Sequence, residues 1–154
     1  MEQRINALAK GGNALKALYG LGIYLDKSPL EKSLLHLIYF RVSQINGCAF
    51  CLDMHSKDLR AAGETEQRLY MLDAWQETPL YTDRERAAFA WAEAVTNVTA
   101  GRVSDEVYAI ARKQFSEEEL IDLTLAVTTI NSYNRINIAF RTTAGGYKPG
   151  QYGG

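Results

Sequence analysis

Three times the chain sets a serine or threonine three residues ahead of a glutamate: "SPLE" at 28–31, "TDRE" at 82–85 and "SEEE" at 116–119. In such a box the hydroxyl accepts a backbone N–H of the first helical turn, and the glutamate reaches back to the capping residue. In "SPLE" the proline at the first helical position strengthens the signal. "SDEV", from Ser104, opens another helix, with acids that suit the positive end of the helix dipole. Asn46-Gly47 and Gly63 read as stops, because glycine takes the left-handed conformation that ends a helix. These signals predict helices over 12–27, 30–45, 48–62, 66–75, 83–98, 105–114 and 117–142. No stretch sustains the apolar/polar alternation of a strand, so the class is all-α.

A chain of 154 residues with 47% apolar content buries one core. It shows no repeat, Pro-rich linker or charge block, so one domain over 1–142 is expected, followed by a Gly-rich tail at 143–154 ("GGYKPGQYGG" at its end). That tail is expected to be flexible or tied down only by a neighbouring subunit. From Leu120 to Ile130 the last helix is apolar nearly all round, interrupted by Asp122 and three threonines. Such a helix is central and covered on most sides, in a bundle centre or a subunit interface. Beyond it, Asn131, Asn134, Arg135 and Asn137 read as surface or interface polar groups bonded to neighbouring backbone. The formal net charge of -1 offers no electrostatic case for nucleic acid. The apolar runs are too short for a membrane span, and "MEQRINALAKGG" lacks a signal-peptide core, so a cytoplasmic protein is expected.

Both cysteines and both histidines lie within "HLIYFRVSQINGCAFCLDMH", residues 36–55. In a reducing compartment a persistent structural disulfide is not expected, and two close cysteines point to catalysis or metal. On a helix, Cys51 lies about 60° from Cys48, and His55 about 40° from Cys51, so the three side chains share one stripe. His55 is the i+4 neighbour of Cys51, within reach of direct contact. The break at Asn46-Gly47 predicts an antiparallel helix pair, which sets His36 beside His55 and gives the spatial order Cys48, Cys51, His55, His36. Cys48 and Cys51 fall in the first helical turn, where unpaired N–H groups and the dipole favour a thiolate. A second thiol three residues away can close a disulfide on an oxidised first one.

Three readings compete for this cluster. A redox pair ranks first. A Cys2His2 metal module of His36, Cys48, Cys51 and His55 ranks second, because Cys48 and His55 lie about 10 Å apart along the helix axis, poor geometry for a tetrahedron. Buried thiols acting as small hydrophobes rank third, since that leaves both histidines unexplained. A thioredoxin-like fold is set aside for want of strands.

The segment "SQINGCAFCLDMHSKDLRAAGETEQRLYML", continued by "WQETPLYTDRERAAFAWAEAVT", "FSEEELIDLTLAV" and "INSYNRINIAF", resembles the alkylhydroperoxidase-D-like (AhpD-like) branch of the carboxymuconolactone decarboxylase family. The likeness runs from about Ser28 to Phe140, and its specific element is ING-CxxC-xxxH. The resemblance implies an all-helical bundle with CxxC at the start of a central helix, assembled as trimers or hexamers with the site near subunit contacts. It implies thiol-dependent reduction of hydroperoxides or related thiol–disulfide chemistry, without a cofactor and with an unidentified dithiol donor. Carried over by position, Cys51 is the peroxide-reactive thiol, Cys48 its resolving partner and His55 part of a proton relay. The family often carries a glutamate twelve residues before the first cysteine, where this chain has His36. An imidazole shuttles protons but supplies no negative charge, which implies weaker polarisation of His55. Decarboxylation is not expected, because the decarboxylase members lack this CxxC chemistry. A redox sensor or disulfide-linked adaptor without efficient turnover is the alternative to an enzyme. Phe40, Phe50 and Tyr39 are either the lining of an apolar peroxide pocket or ordinary core and interface aromatics.

Overall fold

The computed structural model describes residues 2–152, and among these it is all-helical. The nine α-helices are α1 (Ala7–Lys10), α2 (Gly12–Leu25), α3 (Lys32–Asn46), α4 (Ala49–Ala61), α5 (Glu66–Met71), α6 (Asp83–Thr96), α7 (Val98–Gly101), α8 (Asp105–Gln114) and α9 (Glu117–Phe140). A 3-10 segment, Leu72–Glu77, follows α5. The single helix expected over 66–75 is thus an α-helix that tightens, with Ala74 out of helical geometry. The short α1 and α7 carry no sequence signal strong enough to predict.

Thr82 and Ser116 form complete capping boxes with Glu85 and Glu119, and Ser104 accepts the Val107 amide. "SPLE" behaves differently. α3 starts only at Lys32, and the Ser28 hydroxyl donates to the Leu25 carbonyl at the end of α2 instead of capping α3. The Glu31 side chain, free of any capping duty, pairs with Arg84.

α9 packs against α2, α3, α4, α6 and α8, with Leu123, Ala126 and Val127 fully buried, as its apolar pattern requires. Its cover is incomplete, because Ile121 is 68% exposed. Asp122 is buried and accepts a hydrogen bond from the Tyr24 hydroxyl at 2.8 Å, which satisfies the one acid in the apolar run. The main core joins Leu37, Ile38 and Val42 of α3 to Phe89 and Ala92 of α6 and to the apolar face of α9. No helix among the described residues is long and apolar enough to cross a membrane.

The tail is held within its own chain around residues 145–147, which corrects the expectation of a free or partner-held segment there; Gly153 and Gly154 lie outside the described residues. The Gly145 amide donates to Asp53, Lys57 donates to the carbonyls of Gly145 and Tyr147, and the buried Tyr147 donates its hydroxyl to Asp58. Residues 145–147 therefore lie along α4.

Candidate functional site

The α3–α4 corner builds the site. Gly47 ends α3 with φ 66°, a left-handed conformation that costs glycine nothing. Its amide bonds the Gln44 carbonyl, and the Cys48 amide bonds the Ser43 carbonyl. This is the Schellman arrangement, and it fixes Cys48 at the end of one helix and the start of the next. Cys48 is the N-cap of α4, one position outside the helix, while Cys51 lies in its first turn. The two sulfurs are free thiols, each 1% exposed, and lie 2.7 Å apart.

α9 closes the site with amides. Asn134 is fully buried, donates to the Ser43 hydroxyl at 3.0 Å and accepts from Asn46 at 2.9 Å. Asn137 points its amide at the Cys51 sulfur at 3.5 Å while also donating to the Tyr133 carbonyl. The expectation of surface or interface groups bonded to neighbouring backbone misjudges Asn134; Asn137 does bond the neighbouring Tyr133 carbonyl but also faces the Cys51 sulfur. Their spacing, with Asn131, at i, i+3 and i+6 on one face was the available signal; its partner was not visible without the packing of α9 on α4.

The two thiols are electrostatically unlike. The hydrogen bond from Cys51 is the largest influence holding Cys48 below the usual thiol range, helped by the Cys51 and Phe50 backbone amides and the Asn134 side chain against the cost of burial. Cys51 is pushed up, first by its hydrogen bond to Cys48, then by burial and by the charge on Cys48; the Asn134 and Asn137 amides pull the other way.

His55 and His36 are neighbours, with ring centroids 6.2 Å apart, as an antiparallel α3–α4 pair requires. Tyr39 packs against both, 5.4 Å from His55 and 6.0 Å from His36. Burial pushes His55 down to about 3, with a smaller contribution from His36, so the ring is a neutral imidazole at ordinary pH. Burial also lowers His36, opposed by the charges of Asp58 and Asp26. The direct Cys51–His55 contact expected from i+4 spacing is not a hydrogen bond, since neither ring nitrogen of His55 has a partner. Cys51 turns its sulfur toward Cys48 and Asn137 instead.

The four-residue metal set does not converge either. Among the described residues, the one group of three or more His, Cys, Asp or Glu side chains whose ligand atoms lie within 4.8 Å of one another is His36, His55 and Asp58. Both sulfurs fall outside it, because Cys48 sits two turns from His55 along α4. Of the aromatics, Phe40 belongs to the core and Phe50 packs on Tyr152 at 6.5 Å. A hollow of about 650 Å³ lies elsewhere, between α8 and α9, lined by Trp91, Tyr108, Leu120, Ile121 and Leu125.

A helical bundle that carries a paired CxxC at a helix start, backed by a histidine pair, defines a class of helical dithiol proteins. The chain belongs to the carboxymuconolactone decarboxylase family, whose model matches residues 10–94. It is 42% identical over 144 residues to the uncharacterized protein YdfG of Bacillus subtilis, covering 94% of this chain and 98% of YdfG. Among solved structures it superposes, at TM-score 0.89 and 41% identity, on ATU0492 of Agrobacterium tumefaciens, a protein of unknown function for which an AhpD antioxidant-defence role has been suggested. That match covers 95% of this chain and all of the other. An uncharacterized peroxidase-related protein from Silicibacter sp. TM1040 matches at TM-score 0.74 and 26% identity, over 87% of this chain and 70% of its own.

Proposed function

We propose that this protein is a thiol-dependent hydroperoxide reductase in which Cys51 reacts with peroxide and Cys48 resolves it. The observation that carries the reading is the pair itself: two free sulfurs 2.7 Å apart at the start of α4. The kinship with AhpD-type and peroxidase-related proteins supports it.

Cys51 gives its proton to the Cys48 thiolate, and the Cys51 thiolate attacks the distal peroxide oxygen. The O–O bond breaks, Cys51 becomes a sulfenic acid, and the departing alkoxide takes that proton to leave as alcohol. The Cys48 thiolate then attacks the Cys51 sulfur, forming the disulfide and expelling hydroxide, which is protonated to water. The sum is two thiols and one hydroperoxide giving a disulfide, an alcohol and water. A dithiol donor re-reduces the pair. Its thiolate attacks Cys51, because Cys48, with the lower pKa, is the better leaving group. His36 and His55 carry protons between this pair and the surface in this scheme. A reducing cytoplasm would keep the cycle running. The exposed apolar hollow between α8 and α9 supports assembly with further copies of the chain.

Peroxide consumption with a dithiol reductant tests the assignment. Turnover falls to background in Cys51→Ser, while Cys48→Ser accumulates a sulfenic acid at Cys51, trapped by a dicarbonyl reagent and located by mass spectrometry. Normal turnover in Cys51→Ser removes Cys51 from the role. One observation favours a second reading, a redox sensor or adaptor: both thiols are 1% exposed, which slows any peroxide. Stopped-flow oxidation decides, since a rate with organic peroxide no faster than that of free cysteine supports the sensor.

A further inference from the structure

Asp58 joins His36 and His55 in a cluster whose carboxylate the thiol cycle does not use. His55 is 6% exposed, and both of its ring nitrogens are buried without a protein partner; the Nδ1 of His36 is buried and unpartnered too. A neutral imidazole has one N–H to donate and one lone pair to fill. Leaving such a group unsatisfied inside a protein costs about 1–3 kcal/mol, and a cluster of them calls for an explanation. The Asp58 carboxylate lies within 4.8 Å of both imidazoles. It is held from behind by the buried Tyr147, whose hydroxyl donates to its two oxygens at 2.8 and 3.0 Å.

We propose that His36, His55 and Asp58 form a binding site for one divalent first-row transition-metal ion per chain. Two neutral imidazoles and one carboxylate are a ligand set that zinc uses when it keeps an open coordination position, and that non-haem iron uses as well. The sequence arranges it economically. His55 and Asp58 stand one turn apart on the same face of α4, and antiparallel α3 brings His36 to that face. Metal sites in helical bundles pair a carboxylate and a histidine three residues apart on one helix and complete the set from facing helices; here the order is reversed, with His55 before Asp58. Zinc–ligand bonds of about 2.0–2.2 Å put tetrahedral donors roughly 3.4 Å apart. The donors here, all within 4.8 Å of one another, would draw in by roughly 1.4 Å or less to close on an ion. Asp58, only half buried, opens the cluster toward solvent. Tyr147 fixes the carboxylate's orientation, the role that outer hydrogen-bond partners play around bound metals. The site keeps the two histidines of the Cys2His2 set considered from sequence and puts Asp58 in place of the sulfurs.

The full-length chain is tested with Cys48 and Cys51 oxidised to the disulfide, which withdraws the thiolates as competing ligands. Calorimetric titration with Zn²⁺ gives one ion per chain. Asp58→Asn and His36→Gln each weaken binding by more than about a hundredfold, and Tyr147→Phe weakens it by about 10–100-fold. Zn²⁺ also shifts the side-chain nitrogen resonances of both His36 and His55, a measurement on the wild-type chain that stands if a ligand variant fails to fold. Absence of stoichiometric Zn²⁺ binding overturns the proposal. So does binding that Asp58→Asn and His36→Gln leave unchanged, or binding that moves neither histidine. The titration involves no turnover, so its failure leaves the reductase reading where it stood.

Discussion

Replacing Asn134 by leucine tests whether the α9 amides hold the thiol corner together. Asn134 is fully buried and makes two side-chain hydrogen bonds, to Ser43 and from Asn46. Neither partner is left wholly orphaned. The Ser43 hydroxyl still donates to the Tyr39 carbonyl, and Asn46 still donates to Asn131. Each lost bond therefore costs about 1–1.5 kcal/mol and not the larger penalty of an isolated buried group. Leucine keeps the branched shape and leaves no cavity, but it is bulkier than asparagine, so overpacking adds to the loss. The expected loss is at least about 2–3 kcal/mol, read as a lowered urea midpoint with unchanged slope in reduced protein. The same substitution removes an amide that favours both thiolates. Alkylation at neutral pH should slow, and Asn134→Asp should slow it further by setting a negative charge beside the pair. A loss below about 0.5 kcal/mol with unaltered alkylation would refute the idea that Asn134 couples α3, α9 and the thiols.

Cys48→Ser should bring Cys51 down from its raised position toward ordinary thiol behaviour, seen as a lower alkylation midpoint, because the bond to Cys48 is the largest cause of its shift. Cys48 itself is an acid depressed in the fold. Its contribution to stability is complete above the ordinary thiol value of 9.0 and is lost as pH falls through its folded value, so denaturant melts across that window should lose this slope in Cys48→Ser. Tyr147→Phe removes a buried hydrogen bond to a carboxylate and should cost about 1.5–3 kcal/mol, with faster amide exchange at Gly145. Thr82→Ala and Ser116→Ala should each cost about 1 kcal/mol by thermal melt, since both hydroxyls cap a helix.

Capping chemistry is local, and it was legible: Thr82, Ser104, Ser116 and Gly47 act where the residue pattern puts them. "SPLE" has the same pattern and fails, because Ser28 finds a closer acceptor at the end of the preceding helix. The hairpin register that sets His36 beside His55 also followed from counting residues about a short turn. What counting missed was supplied from a distance. Asn134 and Asn137 reach the thiols only because α9 crosses α3 and α4, and Tyr147 reaches Asp58 across 89 positions of chain. Asp58 itself stood three residues from His55 and went unread, because an acid on an exposed helix is ordinary until its neighbours are known.

His36 takes on a different meaning once Asp58 is in view. Histidine at 36 brings no negative charge from α3, so in the proposed relay His55 gains no polarisation from that side. The charge has not left the neighbourhood, however. Asp58 provides a carboxylate within 4.8 Å of both rings, from α4 instead of α3, and its field opposes the burial that lowers His36. The tail then becomes part of the argument, because Tyr147 holds that carboxylate in place. A glutamate at 36 would leave a single imidazole beside two acids, the new carboxylate and Asp58, a simple acid–base chain. Two imidazoles and an acid can move protons or hold an ion, and both uses compete for the same lone pair of His55. The substitution at 36 is thus best understood together with Asp58 and Tyr147, as a change in which atoms around His55 carry charge, and not as the loss of one relay member.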